Sequence, residues 1–341
     1  MEQVTHAQIA KVAGLSRSTV SRALQNHPAI PGETRRRVQA LAEKMGYRPN
    51  PLVSALMATR NRPAASAAAA AISIATLTAW APTRELAPTP STRRLLRGAA
   101  DRAAALGYCL EEFWIDEPGM TGQRLSQILL NRGIVAVLLA PLADSHAPLE
   151  LAWEHFSVAT FAPSAPFPGF HRASHFHFSG ACLALEEVAR RGYRRPGMVL
   201  CAAGVQHVRE QYLGGLAAVE KRGTFPGRIP SLVLRNDGPG ELRAWLRRHE
   251  PDIIVGDEPR TLPWLRELGH DVPLAPAFAH LDRPPGDEFG GIDQLKELIG
   301  RSVIDLLVAQ LHRNERGVPD YAKDIKLPGV WRDGASVPGR G

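Results

Sequence analysis

At 341 residues the chain exceeds one ordinary domain of about 100–200 residues, so two or more folded units are expected. Apolar residues make up 44% and charged residues 22%, which excludes a disordered or membrane-embedded chain. The whole net charge of +7 falls in residues 1–62, which hold ten Lys or Arg and three acidic residues. Such a localised basic field attracts a polyanion. The regular apolar pattern of the same segment argues against a solvated basic tail.

The start of the chain and its cysteines indicate where in the cell the protein is located. No signal-peptide pattern and no run of about 18 apolar residues occurs, so we expect a cytoplasmic protein with no membrane partner. Cys109, Cys182 and Cys201 lack metal-type spacing and predict buried thiols in a reducing environment.

Three short helices are predicted in the first 49 residues. Thr5 and Gln8 have the spacing of a capping box, opening a helix that ends near Ala13. Gly14 permits a sharp turn, and Ser16 caps a second helix over residues 17–24. A third helix is predicted over residues 33–45. Together they form a helix-turn-helix module.

Apolar runs and helical patterns alternate after an Ala-rich linker at residues 59–70. This alternation predicts parallel sheets with helices on both faces, and the number of strands favours two lobes. The predicted strands are 71–78, 108–114, 134–140, 158–162, 198–202, 231–234, 252–256 and 275–279, and the predicted helices are 93–106, 122–132, 180–191, 211–222, 240–248, 260–268 and 294–311.

The second helix offers a polar face for DNA. Its apolar residues Val20, Ala23 and Leu24 point inward, which leaves Arg17, Ser18, Ser21 and Arg22 outward. Arginine grips guanine with two hydrogen bonds, and serine is a small, adaptable partner in the major groove. A solvated face on a helical bundle is the alternative, and the charge asymmetry counts against it.

The pattern of residues 4–50 resembles the DNA-binding head of the lactose-repressor (LacI/GalR) family. The matching residues are Val4-Thr5, Ile9-Ala10, Ala13-Gly14-Leu15-Ser16, Thr19-Val20-Ser21-Arg22-Ala23-Leu24, Thr34-Arg35 and Gly46-Tyr47-Arg48-Pro49-Asn50. The resemblance implies base contacts by Arg17, Ser18 and Arg22, and backbone contacts by Thr5, Ser16, Thr19, Ser21, Tyr47 and Asn50.

The resemblance also implies a hinge helix over residues 50–58. Leu56 takes the place of the leucine that opens a central base step in the minor groove, and an apolar wedge there would bend the duplex. Pro51 suits the first turn of a helix. An ordinary amphipathic connector is the alternative.

Residues 71–333 resemble the family's periplasmic-binding-protein-like sensor. The expected fold is thus an N-terminal all-α helix-turn-helix head plus a two-lobed α/β sensor with parallel sheets. The boundaries are 1–49 for the head, 50–58 for the hinge and 59–70 for the linker. Residues 71–341 bind effector and dimerise, with lobe one at about 71–162 and 291–322, and lobe two at about 163–290 and 323–341.

The effector is expected in the cleft between the lobes, where Asp257 follows a buried strand. The family places an Arg three residues before a Gly-aromatic pair. Here Gly215-Leu216 stands at the position of that pair, the third position before it is Tyr212, and the nearest arginine is Arg209. Trp80 follows the first strand and could stack on a ring at the cleft mouth, with an ordinary exposed or core tryptophan as the alternative. A carbohydrate is the family's commonest ligand, but the mismatch leaves the effector class open.

Other functions find less support. No phosphate-binding glycine motif, nucleophile elbow or acid–base pair indicates an enzyme, and His175 and His177 lack a third metal ligand. No cofactor is expected. A transport protein would carry a signal peptide, and an architectural DNA protein would need no cleft. The sequence therefore predicts a transcriptional regulator, acting as a repressor. We expect a homodimer on a pseudo-palindromic operator, without the C-terminal heptads of a tetramer.

Overall fold

The computed structural model describes residues 5–24, 30–45, 72–79, 89–142, 150–161, 169–202, 205, 208, 210–235, 238–258, 260–272, 276–286 and 288–340. Contacts divide the chain into two units. One comprises Met1–Ala70 with Val308–Arg316, and the other comprises Ala71–Leu307 with Gly317–Gly341. Within the described residues, no helix has both the length and the apolar character needed to cross a membrane.

The head contains helices α1 (His6–Ala13), α2 (Arg17–Leu24) and α3 (Gly32–Lys44). Thr5 and Gln8 form the predicted capping box. Gly14 adopts the left-handed conformation with φ of 66°, which only glycine enters at little cost, and so turns the chain into α2. The three helices pack through a small apolar core formed by Ile9, Ala10, Val20, Ala23, Val38 and Ala42. The predicted head helices are confirmed.

The part of the chain from residue 72 onwards alternates strands and helices. In chain order its elements are β1 (Ile72–Thr78), α4 (Pro90–Ala105), β2 (Tyr108–Trp114), α5 (Gly122–Asn131), β3 (Ala136–Leu139), β4 (Ser157–Thr160), β5 (His171–His175), α6 (His177–Arg190), β6 (Pro196–Cys201), α7 (Gln211–Lys221), β7 (Leu232–Leu234), α8 (Gly240–His249), β8 (Ile253–Gly256), α9 (Thr261–Glu267), β9 (Ala277–His280), β10 (Gly291–Asp293), α10 (Lys296–Arg313), β11 (Asp324–Leu327) and β12 (Val330–Arg332).

These strands form two six-stranded sheets. The first has the order β11-β5-β4-β3-β1-β2 and is parallel throughout. The second has the order β12-β10-β9-β8-β6-β7 and is parallel except for the antiparallel pair of β10 and β12. The predicted two-lobed α/β architecture with parallel sheets is confirmed.

Short apolar runs become the central strands because helices cover both faces of each sheet. All four residues of β3 and of β8 are buried. In the first lobe, Val137 and Leu139 pack with Leu125 and Leu129 of α5. Each fully buried leucine of this kind contributes about 1.5–3 kcal/mol relative to an exposed one.

The lobe boundaries differ from the prediction because β5, β10 and β11 belong to other sheets than the predicted boundaries imply. The predicted second lobe included 163–290, but His171–His175 pair with β4 and β11 in the first sheet. Asp324–Leu327 also lie in the first sheet, whereas Gly291–Asp293 lie in the second. These strands are short or polar and gave no apolar signal.

Candidate functional site

Helix α2 presents one polar face outward from the head. Ser16 caps the helix, its Oγ accepting a hydrogen bond from the backbone N–H of Thr19 at 3.0 Å. Arg17, Ser18 and Arg22 are exposed, while Ser21 is partly buried. Since the opposite side of α2 packs into the head core, its outer face is fixed and can be presented to a ligand.

The chemistry of this face is cationic and rich in donors. The sequence of α2 contains no acidic residue. The hydroxyls of Ser16, Ser18 and Thr19 form a cluster, with Ser16 Oγ 2.8 Å from Ser18 Oγ and 2.7 Å from Thr19 Oγ1. Burial and the charge of Arg17 both lower the pKa of His6, so that this ring is neutral at neutral pH. The charge of the α2 face therefore comes from arginine.

Several predicted site residues lie outside the described residues. They are Tyr47, Asn50 and Leu56, with the hinge at 50–58 and the linker at 59–70, and also Trp80 and Arg209. Thr5 is exposed immediately before α1, where its side chain takes part in the capping box.

A cavity of about 340 Å³ lies at the carboxyl ends of strands from both sheets. Pro141, Phe161 and His175 line it from the ends of β3, β4 and β5. Cys201 and Asp257 line it from the ends of β6 and β8. Parallel strands bring their carboxyl ends to one edge of a sheet, and this edge is where open α/β folds bind ligands.

Asp257 is a partly desolvated carboxylate in this cavity. Its Oδ1 accepts a hydrogen bond from the backbone N–H of Cys201 at 3.0 Å. Burial raises its pKa from 3.8 to about 6, because the charged form has lost part of its hydration. Gln211 also lines the cavity, and its buried Oε1 has no hydrogen-bond partner within the described part of the chain. Both side chains can accept hydrogen bonds from a ligand.

Tyr212 is buried in the cavity wall and belongs to a polar network. Its hydroxyl accepts a hydrogen bond from Gln294 Nε2 at 3.0 Å, and the same amide nitrogen donates to the Leu281 carbonyl at 2.8 Å. Lys296 Nζ donates to Gln294 Oε1 at 2.7 Å. Burial raises the pKa of Tyr212 well above 10, so the hydroxyl keeps its proton. That proton can be donated to a ligand.

Asp282 links the two lobes across the cavity. It follows β9 of the second sheet, and its Oδ2 accepts a hydrogen bond from Ser91 Oγ of α4 at 3.2 Å. The same oxygen lies 3.0 Å from Lys296 Nζ. Lys326 of β11 donates to Ser174 Oγ at 2.8 Å on the first-lobe side. All five of these residues line the cavity, so its charged groups come from both lobes.

His175 and His177 are packed as aromatic rings in the cavity wall. The ring centroids lie 4.9 Å apart in an edge-on arrangement, and His177 meets Tyr212 in the same way at 5.2 Å. Burial lowers the pKa of His175 to about 4, so this ring is neutral. Its Nδ1 donates to the Leu327 carbonyl at 3.1 Å. Across the described residues, no group of three or more His, Cys, Asp or Glu could hold a metal ion.

The structure thus places Asp257 and Tyr212 in one cavity wall. Sequence reasoning missed other polar residues that share it, among them Ser91, Gln211, Asp282, Gln294, Lys296 and Lys326. Asp282 and Gln294 each closely follow a strand, and a polar residue in that position can indicate a place at the ligand-binding edge of the sheet. For Gln294 and Lys326 the strands themselves, β10 and β11, had not been predicted.

The head and the whole chain each resemble known proteins. Residues 7–50 match the model of the lacI family of bacterial regulatory proteins. The transcriptional regulator AglR of Rhizobium meliloti (strain 1021) is 51% identical over 43 residues, which are 13% of this chain and 12% of that protein. The curated relatives are matched over only 12% to 18% of their length.

Solved structures match nearly the whole chain in fold. The regulator CelR in complex with cellobiose has a TM-score of 0.59 and 18% identity, covering 98% of this chain and all of that one. The Lac repressor dimer bound to operator and an anti-inducer has a TM-score of 0.55 and 15% identity, covering 99% and 100%. The predicted resemblance is confirmed: a helix-turn-helix domain that matches the lacI family model precedes an α/β region with the fold of these regulators.

Proposed function

We propose that this protein, with its lacI-family head, is a sequence-specific DNA-binding transcriptional regulator that acts as a repressor. A small molecule in the cavity between its lobes modulates operator binding. The observation that carries the proposal is the exposed, acid-free face of α2 inside residues 7–50. Its chromosomal partner would place the protein in the cytoplasm.

The polar residues of the head have two different roles in this proposal. Arg17, Ser18 and Arg22 project into the major groove and read base edges, where one bidentate arginine–guanine pair discriminates by about 1–3 kcal/mol. Thr5, Ser16, Thr19 and Ser21 position the head on phosphates. Tyr47 and Asn50 are proposed to join them, and Leu56 to open a base step in the minor groove.

The effector in this proposal is a neutral, hydroxyl-rich small molecule, with carbohydrate as the leading class. Support comes from the mixed lining, since Asp257 and Gln211 can accept hydrogen bonds while Tyr212, Lys296 and Lys326 can donate them. The CelR structure of similar fold holds cellobiose. Arg209 and Trp80 remain proposed contacts on the strength of their position in the sequence.

In this proposal Asp282 couples ligand binding to the arrangement of the two lobes. Its bond to Ser91 joins α4 of the first lobe to the loop after β9 of the second. A ligand hydroxyl that competes for this carboxylate would favour one lobe arrangement over another. Only such differential binding can shift an equilibrium between two states.

DNA recognition is tested with the full chain and a pool of random duplexes. Repeated selection should enrich a pseudo-palindrome, since two heads on two half-sites nearly square the discrimination of one. Lys11→Ala serves as a control, because this exposed lysine lies on α1 and outside the α2 face. Failure to enrich any sequence, with binding that depends on salt alone, would refute the proposed specificity.

Effector binding is tested by thermal unfolding with a panel of mono- and disaccharides. A ligand at 100 times its Kd stabilises the native state by about 2.7 kcal/mol. The same ligand should change operator affinity, and Asp257→Ala should abolish both effects while DNA binding without ligand persists. Ligand-induced stabilisation that survives in Asp257→Ala would remove this carboxylate from the site.

A further inference from the structure

The second lobe has another concave site, at the end of its sheet opposite the cleft. Arg194 and Arg195 line it immediately before β6, whose other end reaches the cleft at Cys201. Residues 226–229 line it between α7 and β7, and Arg248 and His249 line it at the end of α8. Its volume is about 280 Å³. We refer to these eight residues as the arginine pocket.

The arginine pocket is held rigidly by hydrogen bonds behind it. The backbone N–H groups of Arg194 and Arg195 donate to the Asp252 carboxylate at 2.8 and 3.0 Å. The guanidinium of Arg195 donates to the carbonyls of His249 at 2.5 Å and Glu250 at 3.1 Å, and so caps the end of α8. Because the loop and the helix end are clamped together, the backbone that carries these arginines is fixed before a ligand arrives.

The charge of the arginine pocket is strongly unbalanced. Four of its eight residues are arginines, including Arg228, and none is acidic. Glu220 lies 3.4 Å from Arg228 and offsets part of one charge. The side chains of Arg194 and Arg248 are exposed. Beyond residue 62 the chain as a whole is neutral, so this cluster is a local excess and not part of a general basic surface.

Arginine side chains that line one small concavity suit phosphate oxygens, which guanidinium groups bind through paired, charge-assisted hydrogen bonds. The pocket is at the lower limit of about 300–1,000 Å³ for ligand sites, which favours a compact anion over a whole nucleotide. We infer that the arginine pocket binds a small, multiply charged phosphate of the pyrophosphate or bisphosphate class. This is a second ligand site, distinct from the cleft and independent of the proposed function.

The test is isothermal titration of the full chain with inorganic pyrophosphate at constant ionic strength. The wild-type chain should bind it saturably, and the double variant Arg194→Gln/Arg248→Gln should bind at least about tenfold more weakly, a change of about 1.4 kcal/mol. Arg195 is left intact because it caps α8. Arg247→Gln is the matched control, since Arg247 lies on the same helix turn but outside the pocket.

The head is also basic, so Arg22→Gln is titrated in parallel and should retain the pocket's binding. Equal affinity in the wild type and the double variant would overturn the inference, as would the absence of saturable binding by the wild type at millimolar pyrophosphate. A non-operator duplex that displaces pyrophosphate through Arg194 and Arg248 would assign the pocket to the DNA backbone and refute a small-anion site. Unchanged unfolding temperatures of the variants would show that their folds are intact.

Discussion

The buried carboxylate of Asp257 lowers stability, and Asp257→Asn should therefore stabilise the protein without ligand. Its pKa is raised from 3.8 to about 6 by burial. A tenfold change in proton affinity corresponds to about 1.4 kcal/mol, so the folded state is destabilised by roughly 3 kcal/mol once the carboxyl is ionised. An amide of the same shape avoids this cost, and its oxygen can still accept the hydrogen bond from Cys201. We expect a gain of about 2–3 kcal/mol at pH 7.5.

The pH dependence of this gain has a definite sign. Below pH 3.8 the carboxyl of Asp257 is protonated in both the folded and the unfolded chain, so its ionisation costs the folded state nothing. The penalty grows as the pH rises from 3.8 to about 6, and it is complete above that value. The stability difference between the variant and the wild type should therefore be largest at pH 7.5 and shrink steadily towards pH 4.

Urea unfolding at several pH values measures this difference. Asp282→Asn is the matched control, because Asp282 lines the same cavity but is bound to Lys296 at 3.0 Å and to Ser91 at 3.2 Å. The neutral amide loses the ion pair with Lys296 and the charge-assisted hydrogen bond from Ser91, and it should therefore lower stability. A stability gain for Asp257→Asn that is equal at pH 4 and pH 7.5, or a loss at pH 7.5, would refute the reasoning.

Three further predictions concern DNA binding and assembly. Arg22→Ala should cost about 1–3 kcal/mol on the selected operator and relax preference at one base pair, measured by gel shift on single-base variants. Equal weakening on every sequence would make Arg22 a phosphate contact. Leu56→Ala should reduce DNA bending in circular-permutation gels while circular dichroism stays unchanged, and an unaltered bend would exclude the wedge. Light scattering should give about twice the 37.1 kDa chain mass, and a mass of one or four chains would contradict the homodimer.

The elements of this fold with the strongest local signals were predictable from sequence. The capping box of Thr5 and Gln8 and the turn at Gly14 are local chemistry, and both are present in the structure. The same holds for β1, β3 and β8, whose apolar runs are buried between helices. Each of these signals is complete within about ten residues, so no knowledge of the tertiary fold is needed.

The strands that decide the lobe boundaries were not predictable in this way. β11 and β12 are edge strands, and their partly exposed residues show no apolar run. β5 contains two histidines, an arginine and a serine, and it becomes a strand because β4 and β11 flank it. Tertiary pairing stabilises these segments against their weak intrinsic preference. In the described residues the chain changes sheet after β5, after β10 and after β11. Because these strands were not predicted, the predicted lobe boundaries were misplaced.

The difference between local signals and tertiary strand pairing also explains which cavity residues could be predicted from the sequence. Asp257 directly follows a predicted strand, and Tyr212 opens a predicted helix, so their place at the cleft follows from local patterns. Lys326 enters the cavity wall only because β11 pairs with β5, which is 152 residues earlier in the chain. Asp282 becomes a link between lobes only because α4 brings Ser91 to it. Strand order assembles a cleft from distant segments, so its location is predictable from alternation alone, whereas its full set of charged groups requires the pairing of every strand.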